Sequence, residues 1–272
     1  MASLHAESPL LSKNSGRVKA ARRLARRATR EELRLFLAEG AKALAEALDV
    51  EGCVVEVFAT PAATTAYADL RRRLESTGAP WQLVDDAALA SLAGAVTPQG
   101  IVAVCRFLDL GLDAAWRADT VAICADVRDP GNAGTIIRTA DAAGVGAVVL
   151  AGHSVDPYND KTVRATVGSL FHVPLVRSGD PAEAVRAAQA AGYRVLAADG
   201  GGEVDLFAAG ALLTGRVAWL FGNEAWGLPA DLAALADHRV AIPILGRAES
   251  LNLATAAAVC LYASAQAGAT SR

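Results

Sequence analysis

The run Thr-Val-Ala-Ile-Cys-Ala at residues 120–125 leads directly into Asp-Val-Arg-Asp-Pro-Gly-Asn-Ala-Gly-Thr-Ile-Ile-Arg-Thr-Ala at residues 126–140. A continuous apolar run of this length is the pattern of a strand buried on both faces of a parallel sheet. The glycines behind it, Gly131 and Gly134, permit tight backbone geometry, and a helix is predicted over about residues 133–143. The same rhythm continues, with strands near 147–150, 173–176, 194–197, 217–221 and 239–242. Helices fall between them at 161–168, 181–191 and 252–265. Alternation of this kind predicts an α/β domain, a mostly parallel sheet covered on both faces, with its ligand site at the carboxyl ends of the strands.

Upstream, residues 31–48 read as helical, followed by a strand at 53–59 and a helix containing 66–76. A short strand at 81–84, a helical stretch at 87–93 and a strand at 101–107 complete a smaller α/β unit. The expected organisation is an N-terminal domain at 1–108, a linker at 109–119 rich in Leu, Ala and Asp, and a second domain at 120–272. No internal repeat is found.

With 272 residues, 53% of them hydrophobic and 20% charged, the composition is that of a soluble globular protein large enough for two modest cores. No apolar run approaches the roughly 18 residues of a membrane span. The N-terminal residues lack the apolar stretch of a signal peptide, which predicts a cytoplasmic protein. Cys53, Cys105, Cys124 and Cys260 are scattered without metal-ligand spacing, and three of them lie in apolar runs, so free buried thiols are expected. His5, His153, His172 and His238 are equally isolated, and neither a metal site nor a catalytic histidine is predicted.

Net charge is −3, but residues 1–34 hold nine basic residues against three acidic ones, a local +6. On a helix beginning near Val18, Lys19, Arg22, Arg23, Arg26, Arg27 and Arg30 would share one arc. Val18, Ala21, Leu24, Ala25 and Ala28 would fill the other. Such a face suits phosphates. A solvated surface helix is the plainer alternative, but like charges at i,i+3 and i,i+4 repel one another, which favours contact with RNA.

Two further segments carry chemistry: Leu-Phe-Gly-Asn-Glu-Ala-Trp-Gly-Leu at 220–228 and Ile-Pro-Ile-Leu-Gly-Arg-Ala-Glu-Ser-Leu-Asn-Leu-Ala at 242–254. Gly222 would let a ligand approach the backbone, and Ser250 is positioned to cap the following helix. Arg138, about one turn inside the predicted helix, opposes the helix dipole. Taken alone it reads as an ion-pair partner of Asp126, Asp129 or Asp141. No glycine-rich dinucleotide fingerprint and no Walker-type lysine are present.

Together and in this order, the three segments resemble the signature motifs of the SpoU/TrmH family of RNA 2′-O-ribose methyltransferases, over roughly residues 118–265. The stretch 161–171 with Val173-Pro174 resembles a segment that many members carry between the first two motifs. The N-terminal region resembles, more loosely, the L30e-like substrate-binding domain of bacterial rRNA members, with Glu39-Gly40 at a similar place.

The resemblance implies an α/β-knot (SPOUT) second domain with a deep trefoil knot, S-adenosylmethionine as cofactor, and a homodimer whose active sites lie at the subunit interface. It assigns backbone contacts to the cofactor to Gly222, Ile242 and Leu251. It places Asn132 and Arg138 in the catalytic site, with Glu224, Ser250 and Asn252 shaping it. Lys161 and Arg164 would join Arg22, Arg23, Arg26 and Arg27 in contacting RNA.

The implied reaction is attack of a ribose 2′-oxygen on the sulfonium methyl. A guanidinium is a poor proton acceptor at neutral pH, so Arg138 is expected to hold the target phosphate and stabilise developing oxyanion charge. Ribosomal RNA is the expected substrate because compact tRNA-directed relatives often lack a separate N-terminal domain. A tRNA methyltransferase and a non-catalytic RNA-binding protein on the same fold are the alternatives. A generic nucleotide-binding α/β hydrolase would need a phosphate loop and a nucleophile constellation, and the sequence has neither.

Overall fold

The computed structural model describes residues 10–95 and 97–270. His5, the first nine residues of the expected N-terminal domain, and residues 271–272 lie outside the described residues. The chain begins with α1 (Gly16–Arg22), α2 (Arg27–Leu33), β1 (Leu35–Glu39), α3 (Ala41–Leu48) and β2 (Val54–Ala59). It continues through α4 (Pro61–Ala66), α5 (Ala68–Glu75), β3 (Trp81–Leu83), α6 (Asp86–Ala90) and β4 (Ile101–Arg106). Next come β5 (Thr120–Ala125), α7 (Pro130–Ala142), β6 (Ala147–Ala151), α8 (Asp160–Thr166), β7 (Leu175–Ser178) and α9 (Pro181–Ala190). The last elements are β8 (Arg194–Ala198), β9 (Val204–Asp205), β10 (Val217–Phe221), α10 (Ala230–Ala233), β11 (His238–Ala241) and α11 (Leu253–Thr270).

The chain divides into two compact units, Met1–Phe107 with Tyr158–Phe171, and Leu108–Pro157 with His172–Arg272. The first therefore takes in a stretch that the sequence reading had placed inside an unbroken 120–272 domain. The reason is aromatic packing: Tyr158 stacks on Phe107 at 3.9 Å between ring centroids and lies 4.9 Å from Phe36, with Phe171 6.1 Å from Phe36. Residues 108–119 belong to the second unit. Leu112–Ala115 forms a 3₁₀ turn, Ala115 is buried in that unit's core, and Leu110 bridges to Val176. They are part of the second unit's packing, not a free linker.

The first unit is built on a four-stranded sheet in the order β1-β4-β2-β3, antiparallel except for the β2–β3 pair. The helix predicted over 31–48 is interrupted. Arg34 adopts a left-handed conformation (φ 55°) that ends α2, and Leu35–Glu39 pairs with β4 as a strand, with Phe36 opposite Cys105. Phe36 and Ala38 point inward along it, the period of two that a half-buried strand needs.

The basic segment is also not one helix. It runs as α1, a 3₁₀ turn at Arg23–Ala25, extended backbone at Arg26 and then α2. Of the predicted apolar arc, Val18, Ala21 and Leu24 are buried against Phe58, Val84 and Val102, whereas Ala25 and Ala28 are exposed, because the helix breaks before the arc is complete. Arg22, Arg23, Arg26 and Arg27 are exposed. Arg30 is not: it is 5% exposed and donates from Nη1 to the carbonyl oxygens of Leu24 at 2.8 Å and Ala25 at 2.9 Å. Those are carbonyls that a break in the helix releases, so Arg30 belongs to the fold and not to the basic face.

The second unit carries a seven-stranded sheet in the order β7-β6-β5-β10-β8-β11-β9, every pairing parallel. It is α/β and mostly parallel as expected, with β9 an addition at the edge. β5 and β10 lie side by side at the centre, Cys124 opposite Phe221. From β5 the chain steps out through β6 and β7 on one side, while β10, β8, β11 and β9 extend the other. Loops at such a reversal diverge and leave a crevice at the carboxyl edge. α11 packs along α7 and against β10, with Trp219 donating from its ring nitrogen to Ser264 at 2.9 Å. No helix among the described residues is long and apolar enough to cross a membrane.

Candidate active site

Three loops meet at that carboxyl edge: the one after β5 (residues 126–129), the one after β10 (222–229) and the one after β11 (242–252). Asp126 sits in left-handed backbone (φ 55°) and accepts from the His153 amide at 2.7 Å, turning the chain sharply out of β5. Buried Ser154 accepts from the Val127 amide at 3.1 Å and braces the same turn. Asp129, not a glycine, starts α7, its carboxylate accepting from the Asn132 amide at 2.7 Å.

The helix thus begins at Pro130, earlier than predicted, and Arg138 lies more than two turns in, past the region where the dipole acts. The helix dipole therefore does not oppose it. Arg138 is exposed and makes no ion pair with any described residue. Asp141, one of its expected partners, instead pairs with His172 at 2.9 Å.

Glu224 ties the second loop to the first. Its carboxylate accepts from the backbone amides of Asp129 at 2.9 Å and Arg128 at 3.2 Å, and from the side-chain amide of Asn132 at 3.3 Å. Burial pushes its pKa up, but the Asp129 and Arg128 amides and the Asn132 side chain outweigh that and hold the carboxyl below its ordinary value. Asn132 then accepts at Oδ1 from Asn252 Nδ2 at 3.0 Å, across 120 residues of chain. Asn252 in turn accepts from the amides of Ala254 at 2.9 Å and Thr255 at 3.3 Å. It is therefore Asn252 that caps α11; Ser250 lies exposed in the preceding loop and is not the cap.

A polar chain Glu224–Asn132–Asn252 thus joins all three motifs. Asn223 is the residue that sequence reading passed over. It is 6% exposed, donates from Nδ2 to the Asp126 carbonyl at 2.7 Å and accepts from the Ala225 amide at 2.8 Å. Only its place between a strand-ending glycine and Glu224 hinted at this. Gly222 is needed first by the protein itself: a Cβ there would come within 2.4 Å of the Gly227 carbonyl carbon. The expected close approach at Gly222 is to its own chain, whose turn is closed by paired Asn223 and Gly227 backbone bonds of 2.9 Å.

The third loop has the character a backbone-bound cofactor needs. From Ile244 to Leu251 every residue is exposed and no N–H donates to another described residue. Leu245 is 90% exposed, with Ile244 and Leu251 beside it. Open backbone donors flanked by apolar side chains fit a ligand that combines a purine with an amino-acid chain. Among the described residues, no hydrogen bond or ion pair joins the side chains of Ser250 or Arg138 to the Glu224–Asn132–Asn252 chain.

Cys124 lies buried beneath this site, its thiol pushed up to about 12 by burial and by the Glu224 charge, so it stays protonated and is no nucleophile. All four cysteines are free and buried, as expected. No cluster of His, Cys, Asp or Glu among the described residues could hold a metal ion. In the first unit, Lys161 is exposed, whereas Arg164 is half-buried and paired with Asp160 at 3.1 Å and Glu39 at 3.8 Å. Glu39 also accepts from the amides of Gly94 and Ala95, so Arg164 is engaged in holding its own unit together.

Residues 119–262 match the SpoU rRNA Methylase family, and residues 15–103 match the MRM3-like substrate binding domain. The 23S rRNA (guanosine(2553)-2'-O)-methyltransferase RlmP of Bacillus subtilis is 34% identical over 92% of this chain and 96% of its own. A 23S rRNA (uridine(2479)-2'-O)-methyltransferase of Streptomyces viridochromogenes is 43% identical over 49% of this chain and 47% of its own. Among solved structures, an AdoMet-bound rRNA methyltransferase from Sinorhizobium meliloti superposes with a TM-score of 0.83 at 33% identity, covering 94% of this chain and 98% of that one. The AdoMet complex of the SpoU methyltransferase AviRb from Streptomyces viridochromogenes gives 0.81 at 31% identity, covering 93% and 98%. The chain belongs to the SpoU rRNA methylase family, with a substrate-binding domain in front of the methylase fold.

Proposed function

We propose that this protein transfers a methyl group from S-adenosylmethionine to a ribose 2′-hydroxyl of 23S-type ribosomal RNA. The observation that carries the reading is the closure of the three motif loops by Glu224, Asn132 and Asn252, with Asn132 on the same helix that presents Arg138, which pairs with no described residue. When bound, S-adenosylmethionine supplies an already activated methyl group, open to in-line attack by the ribose 2′-oxygen. The protein is left with alignment, proton removal and charge.

Alignment falls to the loop frame. The Ile242 and Leu251 backbones and the Gly222 turn hold the cofactor, and the Asn132–Glu224–Asn252 chain fixes those loops relative to α7. Holding two reactants in line can lower the barrier by several kcal/mol. Arg138 grips the phosphate of the target nucleotide through its planar fork and stabilises charge on the attacking oxygen. The proton leaves to that phosphate or to water. Ser250, exposed at the lip of the third loop, shapes the entry for the ribose.

The basic residues Arg22, Arg23, Arg26 and Arg27 supply sequence-independent affinity for the RNA backbone from the N-terminal unit, with Lys161 and Arg164 adding to it. The working form is a cytoplasmic homodimer through the methylase unit. Supporting this, α11 carries no charged residue across its 18 positions and leaves Tyr262 half-exposed on a helix that is apolar on nearly every side. Transfer of radiolabelled methyl from S-adenosylmethionine to ribosomal RNA, with the product ribose mapped by resistance to alkaline cleavage, tests the reading. Cofactor binding with no transfer to rRNA or tRNA would instead mark a non-catalytic RNA-binding protein, and transfer to tRNA alone would move the substrate.

A further inference from the structure

Trp226 at the tip of the second loop and Arg128 on the first are side chains that the methyl-transfer chemistry does not use. Trp226 is 53% exposed, and the guanidinium of Arg128 lies over its ring, 5.0 Å from the centroid. Arg128 is itself exposed and makes no ion pair with a described residue.

The pair is held stiffly from behind. Asn223 and Gly227 exchange two backbone bonds of 2.9 Å around the turn that bears Trp226, and Asn223 pins that turn to the Asp126 carbonyl at 2.7 Å. The Arg128 amide donates at 3.2 Å to Glu224, which lies two residues before Trp226 on that turn. An aromatic ring with a guanidinium over it, on loops that Glu224 joins, matches the two parts of a single-stranded nucleotide: a flat base and an adjoining phosphate. Unpaired RNA bases stack on aromatic rings and on guanidinium planes, and little ordering entropy is lost when the platform is already in place.

We propose that Trp226 and Arg128 form a stacking shelf for an unpaired nucleobase of the RNA substrate, at or beside the methylated nucleotide. This rests on the methyltransferase reading and adds a substrate-positioning pair to it. Stacking on a ring accepts any base, so the shelf selects for an unstacked strand over a duplex and does not by itself choose the nucleotide.

The test compares full-length wild type with Trp226→Ala, Trp226→Phe and Arg128→Ala. Methyl transfer to deproteinised 23S rRNA is followed alongside direct binding of a single-stranded 12-mer carrying 2-aminopurine, S-adenosylmethionine affinity by calorimetry, and mass by sedimentation. Trp226→Ala is expected to raise KM for RNA, and Kd for the 12-mer, about tenfold, the scale of one base–aromatic stack. Arg128→Ala should raise both less, and Trp226→Phe should recover most of the loss. 2-Aminopurine quenching should disappear with Trp226→Ala and return with Trp226→Phe.

Cofactor affinity and mass should match wild type in all three variants. RNA KM and 12-mer Kd within twofold of wild type in Trp226→Ala overturn the shelf. So does a parallel loss of cofactor affinity, which would place the ring in the cofactor site, or a fall in mass, which would place it in a subunit contact. If Trp226→Ala does not fold, wild type and Arg128→Ala still decide, since wild-type protein that binds the 12-mer without quenching 2-aminopurine, together with unchanged RNA binding in Arg128→Ala, overturns the shelf. Wild-type protein that binds the 12-mer with quenching but methylates nothing sinks the methyltransferase reading and leaves the shelf standing.

Discussion

In the N-terminal unit, Arg22, Arg23, Arg26, Arg27 and Arg30 are neighbours in the chain yet part company in space; in the second unit, Asn132, Glu224 and Asn252 lie up to 120 residues apart and touch. The first group is scattered by a break in the helix that buries one cation and leaves the others in water. The second is gathered because β5 and β10 are adjacent and α11 returns along α7. Like charges have no reason to converge unless a ligand draws them together, whereas amides and a carboxylate each satisfy the others' hydrogen bonds. A run of cations in sequence therefore marks a surface, and a site is made from groups that complement one another across the fold.

The comparison predicts that gathered and scattered residues fail differently when changed. The largest effect is expected at Arg138, where Arg138→Ala should lower kcat about 10²–10³-fold, the scale of losing a charge-stabilising donor, with S-adenosylmethionine affinity nearly preserved. Arg138→Lys should rescue little because it lacks the planar fork. Equal loss of cofactor binding in both variants would make the residue structural.

Asn132→Ala should be next. It unties Glu224 from Asn252 and is expected to cost about 1–3 kcal/mol in the transition state, roughly tenfold or more in turnover. Unchanged turnover in a variant of normal stability would show that the polar chain is not a frame.

In the scattered group, Arg30 stands apart. Arg30→Met should cost about 1–3 kcal/mol of stability because two carbonyls lose a charged donor, read as a lower midpoint in denaturant. Arg22→Ala and Arg23→Ala should leave the midpoint unchanged. The same loss in all three would erase the distinction between them.

The pH response is smaller. The Glu224 pKa is depressed in the folded protein, so its contribution is fully present above the ordinary glutamate range and is lost as pH falls through the lowered value. Activity should therefore hold on the acid side of neutrality until below the usual carboxylate range, and Glu224→Gln should flatten that limb. A limb that persists in Glu224→Gln belongs to another group. Smallest of all, each of Arg22→Ala, Arg23→Ala, Arg26→Ala and Arg27→Ala should reduce the salt slope of RNA binding by about 0.7 while leaving methyl transfer chemistry intact.

Much of the second unit was legible in the chain. The apolar runs at residues 120–125 and 217–221 are strands with the predicted bounds, because full burial on both faces leaves a pattern that needs no partner to be recognised. Leu35–Glu39 was not legible as a strand. Its apolar residues suit a helix as well, and pairing with β4, about 65 residues away, decided the matter. The cap of α11 fell to Asn252 and not Ser250, two residues that cap about equally well, because Asn252 can also reach Asn132.

The sequence by itself determined the class of the second unit, its family and the three motif loops, since motif residues and strand periodicity are local properties. Only the tertiary structure decided which polar groups meet, that Arg30 serves the fold, that Tyr158–Phe171 joins the N-terminal unit, and that Trp226 and Arg128 pair across the two loops that Glu224 joins. Those outcomes depend on strand order and on competition for hydrogen-bond partners between distant parts of the chain, and no local pattern encodes either.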